Sequence, residues 1–200
     1  VHAAAAIALL LQKQRDAVGL SFFSEDIELL TEAKSNEAHH RFLFQQMESL
    51  LEKSKEEEQK KTFAVDALHK IAEKIHKRSL VIIFSDMMDN SDENEELFTA
   101  LQHLRHNKHE VLLFHVADRE KELNFEYENR PYTFIDLETG EEVKANPNEI
   151  KKQYLESMNQ YKKDLMLKCG QYGIDFVECD IARGFDKVLF EYLTKRSKLY

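Results

Sequence analysis

Two hundred residues with 42% hydrophobic content suffice for one domain with a proper core, since a chain of this size buries roughly 70% of its surface on folding. The formal charge of -9, with Lys and Arg scattered among acids, disfavours nucleic acid as a partner, because phosphate binding rests on clustered cations. Cys169 and Cys179 lack a CxxC pattern or a His at metal spacing, so two reduced thiols and a cytoplasmic setting are expected. Five glycines, two prolines and no repeat predict continuous order with short connections.

The opening run, "AAAAIALLL", resembles a leader at first sight. No basic segment precedes it, no cleavage-like site follows it, and nine apolar residues fall short of the about 20 needed to cross a bilayer. A buried helix carrying Ile7, Leu10 and Leu11 is expected instead, with no insertion into a membrane. Because that helix begins almost at Val1, the chain is expected to be truncated at its N-terminal side. "AVGLSFFS" then reads as a strand. From Asn36 a helix places Phe42, Leu43, Met47, Leu50 and Leu51 on one face, and the run "EKSKEEEQKK" reads as its solvated end.

After Thr62 a third helix shows Val65, Leu68, Ile71, Ala72 and Ile75 at helical spacing. It leads into "SLVIIFSDMMDN", whose strand, Leu80 to Phe84, has no polar alternation and is expected at the centre of a parallel sheet. A helix capped near Asn90 or Ser91 follows, with Leu97, Phe98, Leu101 and Leu104 inward. "EVLLFHV" supplies a second fully apolar strand. Alternating strands and helices predict an α/β fold, doubly wound, with a mostly parallel central sheet and helices on both faces. An antiparallel hairpin near 131–145, "YTFIDL" and "EEVKA" around Glu138, Thr139 and Gly140, interrupts the alternation. "NPNE" opens a long helix with Asn146 as cap and Pro147 at its first position, and Ile150, Tyr154, Met158, Tyr161 and Leu165 form its stripe. "GIDFVEC" is the last strand, and Phe185, Val188, Leu189 and Leu193 mark a closing helix.

Ligands of open α/β sheets gather at the carboxyl ends of the strands, near a change in strand order. Asp86 occupies such an end, as a ligand or as a helix cap. Thr62 is either an ordinary cap or a hydroxyl on the same rim, where a hydroxyl and a carboxylate would suit Mg²⁺. Asp86 with Asp89 offers a competing reading, a metal-dependent phosphohydrolase or nuclease pair, but three residues of separation do not fit D-x-D and no phosphate loop is evident. Ser85 has no G-x-S-x-G around it. "DMMDNSDENEE" lacks the glycine and alternation of an EF-hand. His103, His106 and His109 in "HLRHNKH" read as a helix C-terminus opposing the dipole rather than as a zinc set. Adjacent His39 and His40 point apart on a helix. Phe125, Tyr127, Tyr132 and Phe134 are read as hairpin packing, with a docking patch as the alternative.

The ordered set "RDAVGLSFFSEDIEL", "KKTFAVDALHKIAEKI", "RSLVIIFSDMMDN", "LQHLRHNKHEVLLFHVAD", "RPYTFIDLETGEEV" and "KCGQYGIDFVECDI" resembles the bacterial family called domain of unknown function 58, which looks like a von Willebrand factor A domain. The resemblance spans nearly all 200 residues, and "FIDLETGEE" is its most specific part. It implies a single von Willebrand factor A-like domain, non-enzymatic and protein-binding, with Thr62 as the threonine and Asp86 as the later aspartate of a metal-ion-dependent adhesion site, Ser85 beside them on the rim. The D-x-S-x-S motif of such sites is not in this chain, so Mg²⁺ is expected in the intact protein and weakly or not at all here. A partner's carboxylate would complete the ion's shell, and a MoxR-type AAA+ ATPase is the implied partner.

Overall fold

An apolar run without a helix breaker coils first. In the computed structural model, which describes residues 1–23, 27–53, 64–76, 78–86, 93–135, 140 and 142–197, α1 (His2–Lys13) buries Ala3, Ile7 and Ala8 along one stripe. α2 (Glu37–Lys53) starts where Asn36 Oδ1 accepts a hydrogen bond from the His39 amide at 2.8 Å, satisfying a donor that the first turn leaves without a helical acceptor. Asn36→Ala is expected to cost about 1 kcal/mol. A urea midpoint equal to the parent's would show this cap to be idle.

Leu43 and Met47 of α2 bury against Ala8, with Val18, Leu20, Phe22 and Phe44 packed around them. The "AVGLSFFS" run does form a strand, β1 (Ser21–Phe23), but it pairs antiparallel with β2 (Ile27–Leu30). That partner was not expected from sequence. β1 therefore belongs to a two-stranded sheet of its own, because a neighbour a few residues away can close a hairpin whereas a parallel pairing needs a long crossover. Thr31 fixes the exit: its Oγ1 accepts from the Leu20 amide at 2.8 Å.

α3 (Ala64–Lys74) and α4 (Glu93–His106) pack together. Ala67, Leu68, Ile71 and Ala72 of the first and Phe98, Ala100, Leu101 and Leu104 of the second are all buried, and the alanines allow close approach. α6 (Phe185–Ser197) packs on α1 with Val188 and Tyr192 buried. The closing helix expected from Phe185, Val188, Leu189 and Leu193 is present, with Val188 inward and Phe185 and Leu193 47% and 44% exposed. Helices α1 to α4 and α6, with β1 and β2, form one of two compact units.

The other unit holds β3 (Leu80–Ser85), β4 (Glu110–Ala117), β5 (Tyr132–Ile135), β6 (Glu142–Ala145), α5 (Pro147–Tyr172) and β7 (Asp175–Asp180). A three-stranded parallel sheet runs in the order β3-β4-β7, with Leu113 opposite Phe176, His115 opposite Glu178 and Ala117 opposite Asp180. Val111 to Phe114 are buried, as the unbroken apolar run of β4 requires for a strand covered on both faces. β3 corrects the reading from sequence. Among the described strands it lies at the sheet edge rather than the centre, and only Ile83 of its residues is buried. Equal apolarity does not distinguish edge from centre. The three strands also succeed one another in chain order, so no reversal of strand order occurs among them.

β5 and β6 form the expected antiparallel hairpin as a separate sheet, Tyr132 facing Ala145 and Phe134 facing Val143. Gly140 takes φ +72°, a conformation that costs glycine little. Phe125 is buried and anchors the aromatic cluster, its ring 4.4 Å from Tyr154, 4.9 Å from Tyr127 and 5.7 Å from Phe134. This is packing of the hairpin region on α5, not an open patch. α5 begins as read, with Asn146 accepting from the Asn148 amide and Pro147 in the first turn, and Leu165 and Cys169 are buried. Among the described residues, no helix is long and apolar enough to cross a membrane.

Candidate functional site

The three parallel strands share a carboxyl-terminal rim, and an aspartate stands at or just beyond each end. β3 ends on Ser85, half-buried, and Asp86, exposed. After β4, Asp118 Oδ1 accepts from the Glu120 and Lys121 amides, each at 3.0 Å, and so caps a π-helical turn, Arg119–Leu123. At the end of β7, Asp180 Oδ1 accepts from the Ala182 amide at 3.1 Å, and its other oxygen pairs with Arg183 at 3.3 Å. Asp118 and Asp180 thus serve as caps for their own loops.

π-helical turns are rare and recur at functional sites. Here the turn brings Glu122 back toward the strand, where its Oε2 accepts from the Asp118 amide at 3.1 Å. Burial raises the Glu122 pKa, and the charges of Asp118 and Asp86 push it the same way. Glu122 thus holds its proton more tightly than an ordinary glutamate, and it feels Asp86 across the strand gap.

His115 lies within β4, one strand away from Asp86, only 2% exposed. Its ring stacks on Phe176 with centroids 5.8 Å apart, and neither nitrogen completes a hydrogen bond of good geometry. Burial lowers its pKa, against the pull of Glu178, and of the Asp86 backbone and carboxylate, toward the charged form. Glu178 itself is paired with Lys162 of α5. Beside that pair lies a polar pocket of about 200 Å³ lined by Arg119, Asn124, Asn159, Lys162 and Glu178, among others.

Of the residues named from sequence, the structure places Ser85 and Asp86 together at the end of β3. Thr62 and Asp89 lie outside the described residues, so neither the Thr62–Asp86 rim nor the Asp86–Asp89 pair is described. The oxygens of Ser85 and Asp86 are hard donors that suit Mg²⁺. They do not make a cage by themselves: among the described residues no group of three His, Cys, Asp or Glu side chains is placed to hold a metal ion.

A protein family with the description "Protein of unknown function DUF58" matches residues 1–164. The chain belongs to the DUF58 family. No curated protein and no solved structure matches it. In this DUF58 chain, Asp118, Glu122 and His115 are the rim residues that sequence reasoning passed over. A histidine inside the unbroken apolar strand "EVLLFHV" was the available signal for the last of them, since a buried imidazole needs a reason. Cys169 is not a second reactive centre: it is fully buried, and burial pushes its thiol up to about 11, so it stays protonated and unreactive at neutral pH.

Proposed function

We propose that this DUF58 chain is part of a non-enzymatic, protein-binding domain of the doubly wound, von Willebrand factor A-like kind, in which Thr62, Ser85 and Asp86 contribute to a metal-ion-dependent adhesion site. The observation that carries the reading is the exposed Asp86 carboxylate immediately after a strand of a parallel sheet, the position where α/β folds collect their ligands. The ordered motifs shared with the family support it as well.

In the intact protein Thr62, Ser85 and Asp86 would hold Mg²⁺, and the ion would supply an incompletely neutralised positive charge. A carboxylate from a binding partner is attracted to that charge. Ser85 is the half-buried last residue of β3, and Asp86, just beyond it, is exposed. Asp118 is occupied with capping, which leaves Asp86 as the rim aspartate presented outward. The family resemblance points to a MoxR-type AAA+ ATPase as partner and to a cytoplasmic setting, and the acidic charge of -9 argues against nucleic acid.

The test is capture of a MoxR-type ATPase by the intact protein in Mg²⁺ and in a chelator. Capture is expected in Mg²⁺ only, and Asp86→Ala, a change at an exposed position, should weaken it by about tenfold or more. Capture that ignores both the chelator and the substitution would refute the adhesion reading. Turnover of a phosphodiester or phosphomonoester that disappears in Asp86→Ala would replace it with the hydrolase reading.

A further inference from the structure

α3 and α4 carry a pair of imidazoles that no sequence motif joins. His69 and His103 are 34 positions apart, yet their Nδ1 atoms lie 3.1 Å from each other, with ring centroids 5.3 Å apart and ring planes tilted by 43°. Both side chains are half-buried. They sit beside a helix seam whose core positions, Leu68, Ile71, Leu101 and Leu104, are buried. A second tie holds α3 to the residue that follows α4: Asn107 Nδ2 donates to the Ala72 carbonyl at 3.0 Å. The two rings are thus presented by a packed scaffold rather than by mobile loops.

We infer that His69 and His103 form a two-imidazole binding site for a borderline divalent metal ion of the Zn²⁺ type, bridging α3 and α4. Two nitrogens bound to one tetrahedral ion, each at about 2.0–2.1 Å, are separated by roughly 3.3 Å. The observed 3.1 Å is close to that edge length, so the two nitrogens already stand at the separation that one ion requires. Imidazole nitrogen selects Zn²⁺, Ni²⁺ and Cu²⁺ over Mg²⁺, which prefers oxygen. This pair and the rim at Asp86 therefore differ in metal class.

Without metal the contact is an N–H···N hydrogen bond in which one neutral ring donates through Nδ1 and the other accepts. A metal ion takes the lone pair of both Nδ1 atoms. The donor ring carries its proton on Nε2 instead, so that each Nδ1 offers a lone pair to the ion. Among the described residues no third His, Cys, Asp or Glu completes a set of three around an ion. The remaining coordination positions are left to water or to an incoming ligand. His106 is exposed and has no share in the pair, and His109 is turned away from solvent with its Nδ1 accepting from the Ser79 amide at 3.2 Å.

Calorimetric titration with ZnCl₂ alone tests the site. One ion per chain is expected at this pair, with His69→Gln and His103→Gln each weakening it by about tenfold or more, while His106→Gln retains it and MgCl₂ does not compete. Imidazole NMR signals of His69 and His103 in the unsubstituted chain should shift with added Zn²⁺, a readout that needs no variant to fold. Absence of saturable Zn²⁺ binding, equal affinity in both Gln variants, or an equal loss in His106→Gln would each overturn the inference and leave the pair as a hydrogen bond.

Discussion

Phe114→Ala is expected to destabilise the protein by about 3–5 kcal/mol. Phe114 is 0% exposed in the middle strand of the three, and its ring stacks on Phe84 with centroids 4.7 Å apart and planes within 6°. Truncation removes the transfer free energy of the ring and opens a cavity. It also deprives Phe84, on a strand that lies at the sheet edge among the described strands, of its aromatic partner. Natural domains hold only about 5–15 kcal/mol in total, so the variant should unfold at a much lower urea concentration, read by far-ultraviolet circular dichroism. Phe190→Ala supplies the contrast. That ring is 71% exposed, and its loss should change stability by no more than about 0.5 kcal/mol. Equal midpoints for the two variants would mean that β4 is not the structural centre of its sheet.

The elements most legible from sequence were those in which local chemistry and burial agree. β4 was readable because four successive apolar residues, a histidine and two more apolar residues leave no polar face to wet. The start of α5 was readable because Asn146 and Pro147 satisfy the end of a helix by their own side-chain and ring geometry. The failures lie where the outcome depends on a neighbour. β2 contains Glu28 amid three apolar residues, and nothing local says that it folds back on β1 instead of joining a coil. β3 is as apolar as β4, yet its place at the edge among the described strands depends on what pairs beside it.

The candidate site divides in the same way. Asp86 at the end of an apolar run was legible because a buried strand must release its chain at a rim. Glu122 was not, since its return to the Asp118 amide depends on a π-helical turn that leaves no distinctive spacing. The His69–His103 pair was hidden by distance along the chain. His103 was noticed with His106 and His109, the histidines nearest in sequence, whereas its partner comes from another helix.

Acid should weaken this fold earlier than the carboxylates alone would dictate. His109 and His115 are 0% and 2% exposed, and burial lowers the pKa of both. An unfolded histidine accepts its proton at about pH 6.5, so above that value neither state is protonated and the two groups have no effect. Below it the unfolded chain takes up protons that the folded chain refuses. Stability is then lost as pH falls from the unfolded value toward the lowered folded values, by at most about 1.4 kcal/mol per pH unit for each histidine. Glu122 acts in the opposite sense, because its raised pKa favours the folded state once it is protonated. It is only half-buried, so solvent screens its contribution. Urea midpoints should therefore fall between pH 7 and pH 5. His115→Leu removes one of the two groups and, because neither ring nitrogen of His115 completes a hydrogen bond of good geometry, it should keep or raise stability at pH 7.5 while reducing the acid slope. A slope unchanged by the substitution would show that His115 titrates in the folded protein as it does in the unfolded chain, and that its burial among Phe176, Glu178 and Asp86 does not keep the imidazole neutral.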